Sequence, residues 1–139
     1  STLYAIDEMD LFIKTYPYSK HVEECNQMLD VLREKLAQKD FEIAKLYYNT
    51  DNYHAAQIAV KNFLKDYPNS QYAHEAMYIL VKNNHEYAKK SVNTKKRERY
   101  QACIDAFKIM QAQYPNSGYY TDAKKLADDA QQQINKIKK

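Results

Sequence analysis

Two cysteines, four histidines and eighteen carboxylates are the residues with which this chain could do chemistry. Cys25 and Cys103 could form a disulfide, hold a metal or supply a nucleophile. His21 and Cys25 stand one helical turn apart and could share a metal ion. No HExxH and no Cys/His ligand spacing accompanies them. None of the carboxylates lies in an apolar stretch that would raise its pKa for acid-base work. The single glycine, Gly118, rules out a glycine-rich phosphate loop, and no nucleophile elbow around a serine is present. The expectation is a protein that is not an enzyme and takes no cofactor or metal. Its net charge of +3 is small and forms no basic stripe interleaved with stacking aromatics, so no nucleic-acid partner is expected. No run of about 20 apolar residues could span a bilayer. No signal peptide is visible, and Ser1 falls inside an amphipathic pattern. The chain is therefore expected to be a fragment with its targeting information upstream.

The elements that position these residues follow from an internal repeat, which is the first feature to seek. Tyr16-Pro17-Tyr18-Ser19, Tyr67-Pro68-Asn69-Ser70 and Tyr114-Pro115-Asn116-Ser117 are copies of one motif, with prolines 51 and 47 residues apart. Seven residues after each proline comes an acid: Glu24, Glu75, Asp122. The next residue is small: Cys25, Ala76, Ala123. Five before the proline stands a large apolar residue: Phe12, Phe63, Met110. Eight before it stand Met9, Val60 and Phe107, and twelve before it the small Ala5, Ala56 and Cys103. This register retires both cysteines as chemistry, because each holds a position that is alanine in sister copies. Free cysteine packs as a small apolar residue.

Each unit of the repeat has a physical logic. Proline cannot continue a helix and biases its predecessor away from the α region, so Tyr-Pro ends one. The serine that follows is a natural N-cap for the next. The acid then lies near a helix N-terminus, where the macrodipole favours it. Small residues let helices approach, and large apolar ones fill the space between them. The fold class is all-α, a solenoid of antiparallel helix pairs with one long helix. Helices are expected at about 2–15, 19–49, 53–66, 70–89, 98–113 and 117–136, in a single repeat-array domain. The stretch 19–49 contains no Gly or Pro, and Val22, Cys25, Leu29, Leu32 and Leu36 mark one face at spacings of three and four. It should form one helix, with Thr50–Asn52 as the turn after it. Ser91–Lys96 reads as a polar connection longer than a usual repeat turn.

Two features point towards partners. Lys89, Lys90, Lys95, Lys96, Arg97 and Arg99 form a basic segment around that connection. It is either a solvated loop and helix start or a surface for an anionic partner, protein or lipid headgroup. On the second reading Lys96 and Arg97 belong to the protein-binding surface. The chain also has fourteen tyrosines. Tyr16, Tyr47, Tyr53, Tyr67, Tyr100 and Tyr114 fall at repeat-packing positions. Tyr48, Tyr72, Tyr78, Tyr119 and Tyr120 have no such slot and divide between core and interface, where tyrosine gives contact area at low entropy cost.

The segment Asp51-Asn52-Tyr53-His54-Ala55-Ala56, continued by Val60, Phe63-Leu64 and Tyr67-Pro68, resembles the second helix of a tetratricopeptide repeat. Ala44 and Tyr47 stand where its first helix has its small and aromatic positions. More closely, Val31-Leu32-Arg33-Glu34-Lys35-Leu36-Ala37, then Phe41 to Tyr48, then Tyr53 to Ser70, resembles the BamD-type outer-membrane assembly lipoproteins. The resemblance covers essentially the whole chain and corresponds to the family's C-terminal half. Lys95-Lys96-Arg97-Glu98-Arg99-Tyr100 resembles its Bacteroidetes-type branch. It implies a non-enzymatic scaffold of the β-barrel assembly machinery at the periplasmic face of the outer membrane. The implied partners are a BamA-like barrel-forming subunit, other assembly lipoproteins and nascent outer-membrane proteins. Contact with the membrane would come only through a lipid anchor on an N-terminal cysteine, which neither Cys25 nor Cys103 matches. The implied contact surface is Tyr48, Asn49 and Asn52 at the end of the long helix, with Lys61 and Lys65 on the next. A different periplasmic repeat adaptor, serving envelope or peptidoglycan machinery, is the alternative.

Overall fold

The computed structural model describes residues 1–137. Among them every regular element is an α-helix: α1 (Thr2–Thr15), α2 (Val22–Asn49), α3 (Tyr53–Asp66), α4 (Ala73–Lys89), α5 (Asn93–Gln113) and α6 (Tyr120–Lys136). The all-α repeat architecture is the one the punctuation predicts. The chain forms two compact units, Ser1–Lys39 and Asp40–Lys139. Helix α2 has 28 residues, about 42 Å at 1.5 Å per residue, and its hydrogen bonding is unbroken at Ala37–Asp40.

The repeated motif has one structure in all three copies. Tyr16, Tyr67 and Tyr114 each end a helix with φ between −127° and −133° and ψ of 50–63°. Each donates its N–H to the carbonyl four residues back, on Phe12, Phe63 or Met110, at 2.8 Å. Each tyrosine carbonyl then accepts from the serine N–H three residues on, at 3.1 Å. The serine opens a second turn. Its Oγ accepts from the N–H two residues ahead, on His21, Tyr72 or Tyr119. Its carbonyl accepts from Val22, Ala73 or Tyr120. So the serine caps backbone donors as expected, but over a separate i→i+3 turn. That is why α2, α4 and α6 begin three residues later than about 19, 70 and 117.

A larger correction concerns Ser91–Lys96. Helix α5 begins at Asn93, so only Lys90–Val92 separate it from α4. Val92 is extended, with ψ of 154°, and its carbonyl accepts from Lys95 N–H at 2.9 Å. Ser91 Oγ donates back to the Tyr87 carbonyl and closes α4. The Arg99 guanidinium lies 4.0 Å from the Tyr87 ring centroid and donates to Ser91 Oγ at 2.6 Å. These contacts draw the first turns of α5 onto the end of α4. From Asn93 to Arg99 every residue is polar, so the segment carries no helical period from which its start could be read.

In the second unit α4 is the centre. It packs on α3, α5 and α6, and ten of its residues are buried. Ala76, Val60, Ala56, Met77, Val81, Cys103, Met110 and Ala123 have no exposed surface. Phe41 stacks on Tyr72 at 5.1 Å and tilts against Phe63 at 5.6 Å. In the first unit the corresponding repeat positions, Ala5, Met9, Phe12 and Cys25, are only half-buried; Ile6, Leu29 and Ala37 form its core. Arg33 ties α2 to α1 there through Asp10 at 3.1 Å.

Candidate protein-binding surface

Helices α4 and α6 pack side by side, and the final turns of α2 flank them in the second unit. On α4, Tyr78, Lys82, His85 and Glu86 follow helical spacing along one face. On α6, Asp122, Lys125, Leu126 and Asp129 do the same. All of these but Asp129, with Tyr48 from α2, border a groove of about 290 Å³. Tyr78 stacks on Tyr119 at 5.1 Å. The Lys82 ammonium sits 4.6 Å from the Tyr78 ring centroid and 5.2 Å from that of Tyr48. Burial raises the pKa of the Tyr48 and Tyr78 phenols, so both stay neutral donors. Lys45 and Glu75 pair at 2.7 Å, and that hydrogen bond raises the lysine's pKa. The groove thus offers half-buried aromatic rings, amine groups and carboxylates side by side. Such a surface suits recognition of a peptide segment.

At the groove's base His85 Nε2 meets Asp129 Oδ2 at 2.6 Å. The hydrogen bond from His85 is the largest influence on Asp129 and holds its pKa below the usual carboxylate value. His85 is buried, with the Tyr100 ring edge-on at 5.7 Å. No motif in the sequence singled out His85 among the four histidines, so this pair was missed. The place of His85 near Ile79-Leu80-Val81 was the available signal. Tyr78, Lys82 and Lys125 were also missed as one surface, because their convergence depends on how α4 and α6 pack.

The expected contact residues fall in three separate places. Tyr48 lines the groove and, with Asn49, a polar pocket of about 200 Å³ bounded by Asp51, Tyr53, Glu86 and Lys90. Asn52 belongs to the helix end beside it. There Asp51 takes a positive φ of 64°, its N–H donates to Tyr48, and Asn52 N–H donates to Tyr47, which is a Schellman closure. Lys61 and Lys65 line a different cavity, between α3 and α5. Lys96 and Arg97 are engaged at helix ends. Lys96 Nζ donates to the Lys89 carbonyl, and Arg97 to the Ile137 carbonyl. Cations there satisfy orphan acceptors and oppose the negative ends of α4 and α6. The basic segment therefore has structural work to do besides any contact with a partner.

Cys103 is fully buried, and desolvation pushes its thiol up to about 12. Cys25 is half-exposed rather than buried, and both thiols are free. Among the described residues no cluster of three or more His, Cys, Asp or Glu could hold a metal ion. No helix among them is long and apolar enough to cross a membrane.

A family model described as an outer membrane lipoprotein (YfiO) matches residues 1–99 and again residues 45–138. Two overlapping matches are what a repeated chain gives, since one pattern aligns in more than one register. No curated protein matches the chain. The setting that goes with the family is the outer membrane, on its periplasmic face. With residues 1–138 covered by that model and the helical repeat architecture in place, the chain belongs to the YfiO family of outer membrane lipoproteins, the BamD-type family that its sequence resembles.

Proposed function

We propose that the protein is a non-enzymatic scaffold of outer-membrane protein assembly, which holds a BamA-like barrel-forming subunit through its helical repeats. The family match carries this reading. The surface formed by Tyr48, Tyr78, Lys82 and Lys125 supports it, because neutral phenols beside amines suit a peptide segment rather than a reaction. Asn49 and Asn52 extend that surface at the end of α2. Lys96 and Arg97 join the contact only if the partner reaches the start of α5. Other assembly lipoproteins and nascent outer-membrane proteins are further partners on this reading.

The test is affinity capture from envelope extracts in mild detergent. The barrel-forming subunit should be recovered with the wild-type protein. A Tyr78→Ala, Lys82→Ala double variant, with unchanged helical circular dichroism, should recover much less. Consistent failure of the wild type to retain a barrel protein overturns the assembly role. Undiminished capture by the folded double variant moves the contact off this groove.

A further inference from the structure

Helices α3 and α5 lie on the same side of α4 and both pack on it. Among the described residues they do not pack on each other. They are held apart at both ends. At one end Gln57 donates to Asn84 Oδ1 at 3.0 Å, and Asn84 donates on to the Ala102 carbonyl at 3.3 Å. At the other the Tyr114 hydroxyl donates to the Pro68 carbonyl at 3.0 Å. Between these bridges a cleft of about 270 Å³ remains open. Its floor is Met77 and Leu80 of α4, and its walls carry Leu64, Lys61 and Lys65 on one side and Ile109 on the other.

Three properties of this cleft point to an occupant. Ile109 is 45% exposed at the rim, so apolar surface is left in water where the cleft opens. The lining holds two lysines and no carboxylate. The spacing is fixed by hydrogen bonds at both ends, so the cleft is formed before anything binds, which lowers the entropy cost of filling it. Its volume is just under the ~300 Å³ at which pockets for drug-sized ligands begin. That suits one or two large side chains.

We propose that the α3–α5 cleft is a docking slot for a partner protein segment. The segment inserts one large apolar or aromatic side chain between Leu64 and Ile109, above the buried Met77 and Leu80. It places a carboxylate beside that side chain to pair with Lys61 and Lys65. The inference rests on the geometry of the cleft and holds whichever partner the α4–α6 groove takes. An anchor in a desolvated pocket with charged groups at its rim is how a few residues carry most of an interface's affinity.

The test uses the full chain with labelled Met and Ile methyl groups, followed by NMR. The probes are helical peptides with a central Trp, Phe or Leu and Glu at the third and fourth positions beyond it. Control peptides replace the central residue by Ala or both Glu by Lys. Peptides with an anchor and acids should shift the Met77 and Ile109 methyl signals, and each control should bind about tenfold more weakly or worse. A Lys61→Glu, Lys65→Glu variant should invert the preference and select the Lys peptide. Both lysines are exposed, so the variant should fold, as circular dichroism will check. Unmoved Met77 and Ile109 signals with every anchor peptide overturn the proposal. So does equal affinity for the Glu and Lys peptides. A concentration-dependent shift of Ile109 without peptide identifies a second copy as the occupant and overturns it too.

Discussion

Asp129 is an acid whose ionised form depends on the fold. His85 reaches it from α4 at 2.6 Å, and Gln133 adds a weaker hydrogen bond. Its pKa is lowered in the folded protein, so in acid the unfolded chain binds the proton more readily. The stability it contributes is present above the unfolded carboxylate value of ~3.9 and is lost as pH falls through the lower folded value. An Asp129→Asn variant should therefore show a flatter fall in melting temperature below about pH 4 than the wild type. Thermal melts across that range will test it; parallel acid limbs would exclude the linkage. Asp129 is 42% exposed, which keeps the contribution small because water screens it. Single residues were unevenly legible in the sequence. Cys103 was legible, because its repeat position is alanine elsewhere and such a slot admits only a small buried side chain. The role of His85 was not, because its partner lies 44 residues away and only the packing of α4 on α6 brings them together.

Elements were readable wherever a residue type has one physical meaning. Tyr-Pro stops a helix three times, and the three stops have the same dihedral angles and hydrogen bonds. Helix starts were harder. A serine can cap a helix directly or open a separate turn first, and the local sequence does not say which. The start of α5 was hardest, since Asn93 to Arg99 has no apolar face to show a period. What makes this segment helical is tertiary: Arg99 on Tyr87, and Lys96 and Arg97 on the ends of α4 and α6. The two readings of the segment give opposite results with proline. Asn93 is the first helical residue, where proline's missing N–H and fixed φ do no harm. Asn93→Pro should leave stability within about 0.5 kcal/mol of wild type or raise it. Arg97 lies a full turn inside, where proline removes a hydrogen bond and clashes with the preceding turn. Arg97→Pro should cost about 3 kcal/mol more than Arg97→Ala, which isolates the loss of the guanidinium. Urea titration of the three variants will tell. Equal tolerance of both prolines would mean that the segment is a loop in solution.

At the scale of the whole molecule the repeat made the architecture predictable and left the surface open. The repeat positions recur in every copy and are core in the second unit, so their spacing can be read along one chain. The residues of the α4–α6 groove, such as Tyr48, Lys82 and Lys125, come from different helices and recur in none. The same repeat leads to a gradient of stability. Helix α4 is covered by α3, α5, α6 and the end of α2 and buries ten residues, whereas α1 buries Ile6 alone. Local opening is cheapest where few apolar contacts must be given up. Amides in the middle of α4 should therefore exchange hydrogen most slowly, at the rate set by opening of the second unit as a whole. Amides of α1 should exchange fastest among the six helices. A Leu80→Ala substitution removes a buried side chain from the centre of that unit and should cost about 2–5 kcal/mol. It should speed exchange in α3, α4 and α5 together, since all three lose cover when α4 loosens. Exchange in α1 is set by the packing of the first unit on itself, through Ile6, Leu29 and the Arg33–Asp10 pair, and should not change. Mass-spectrometric exchange on wild type and variant separates the outcomes. Uniform protection along the chain, or an equal response of α1 to Leu80→Ala, would show that the two units open as one.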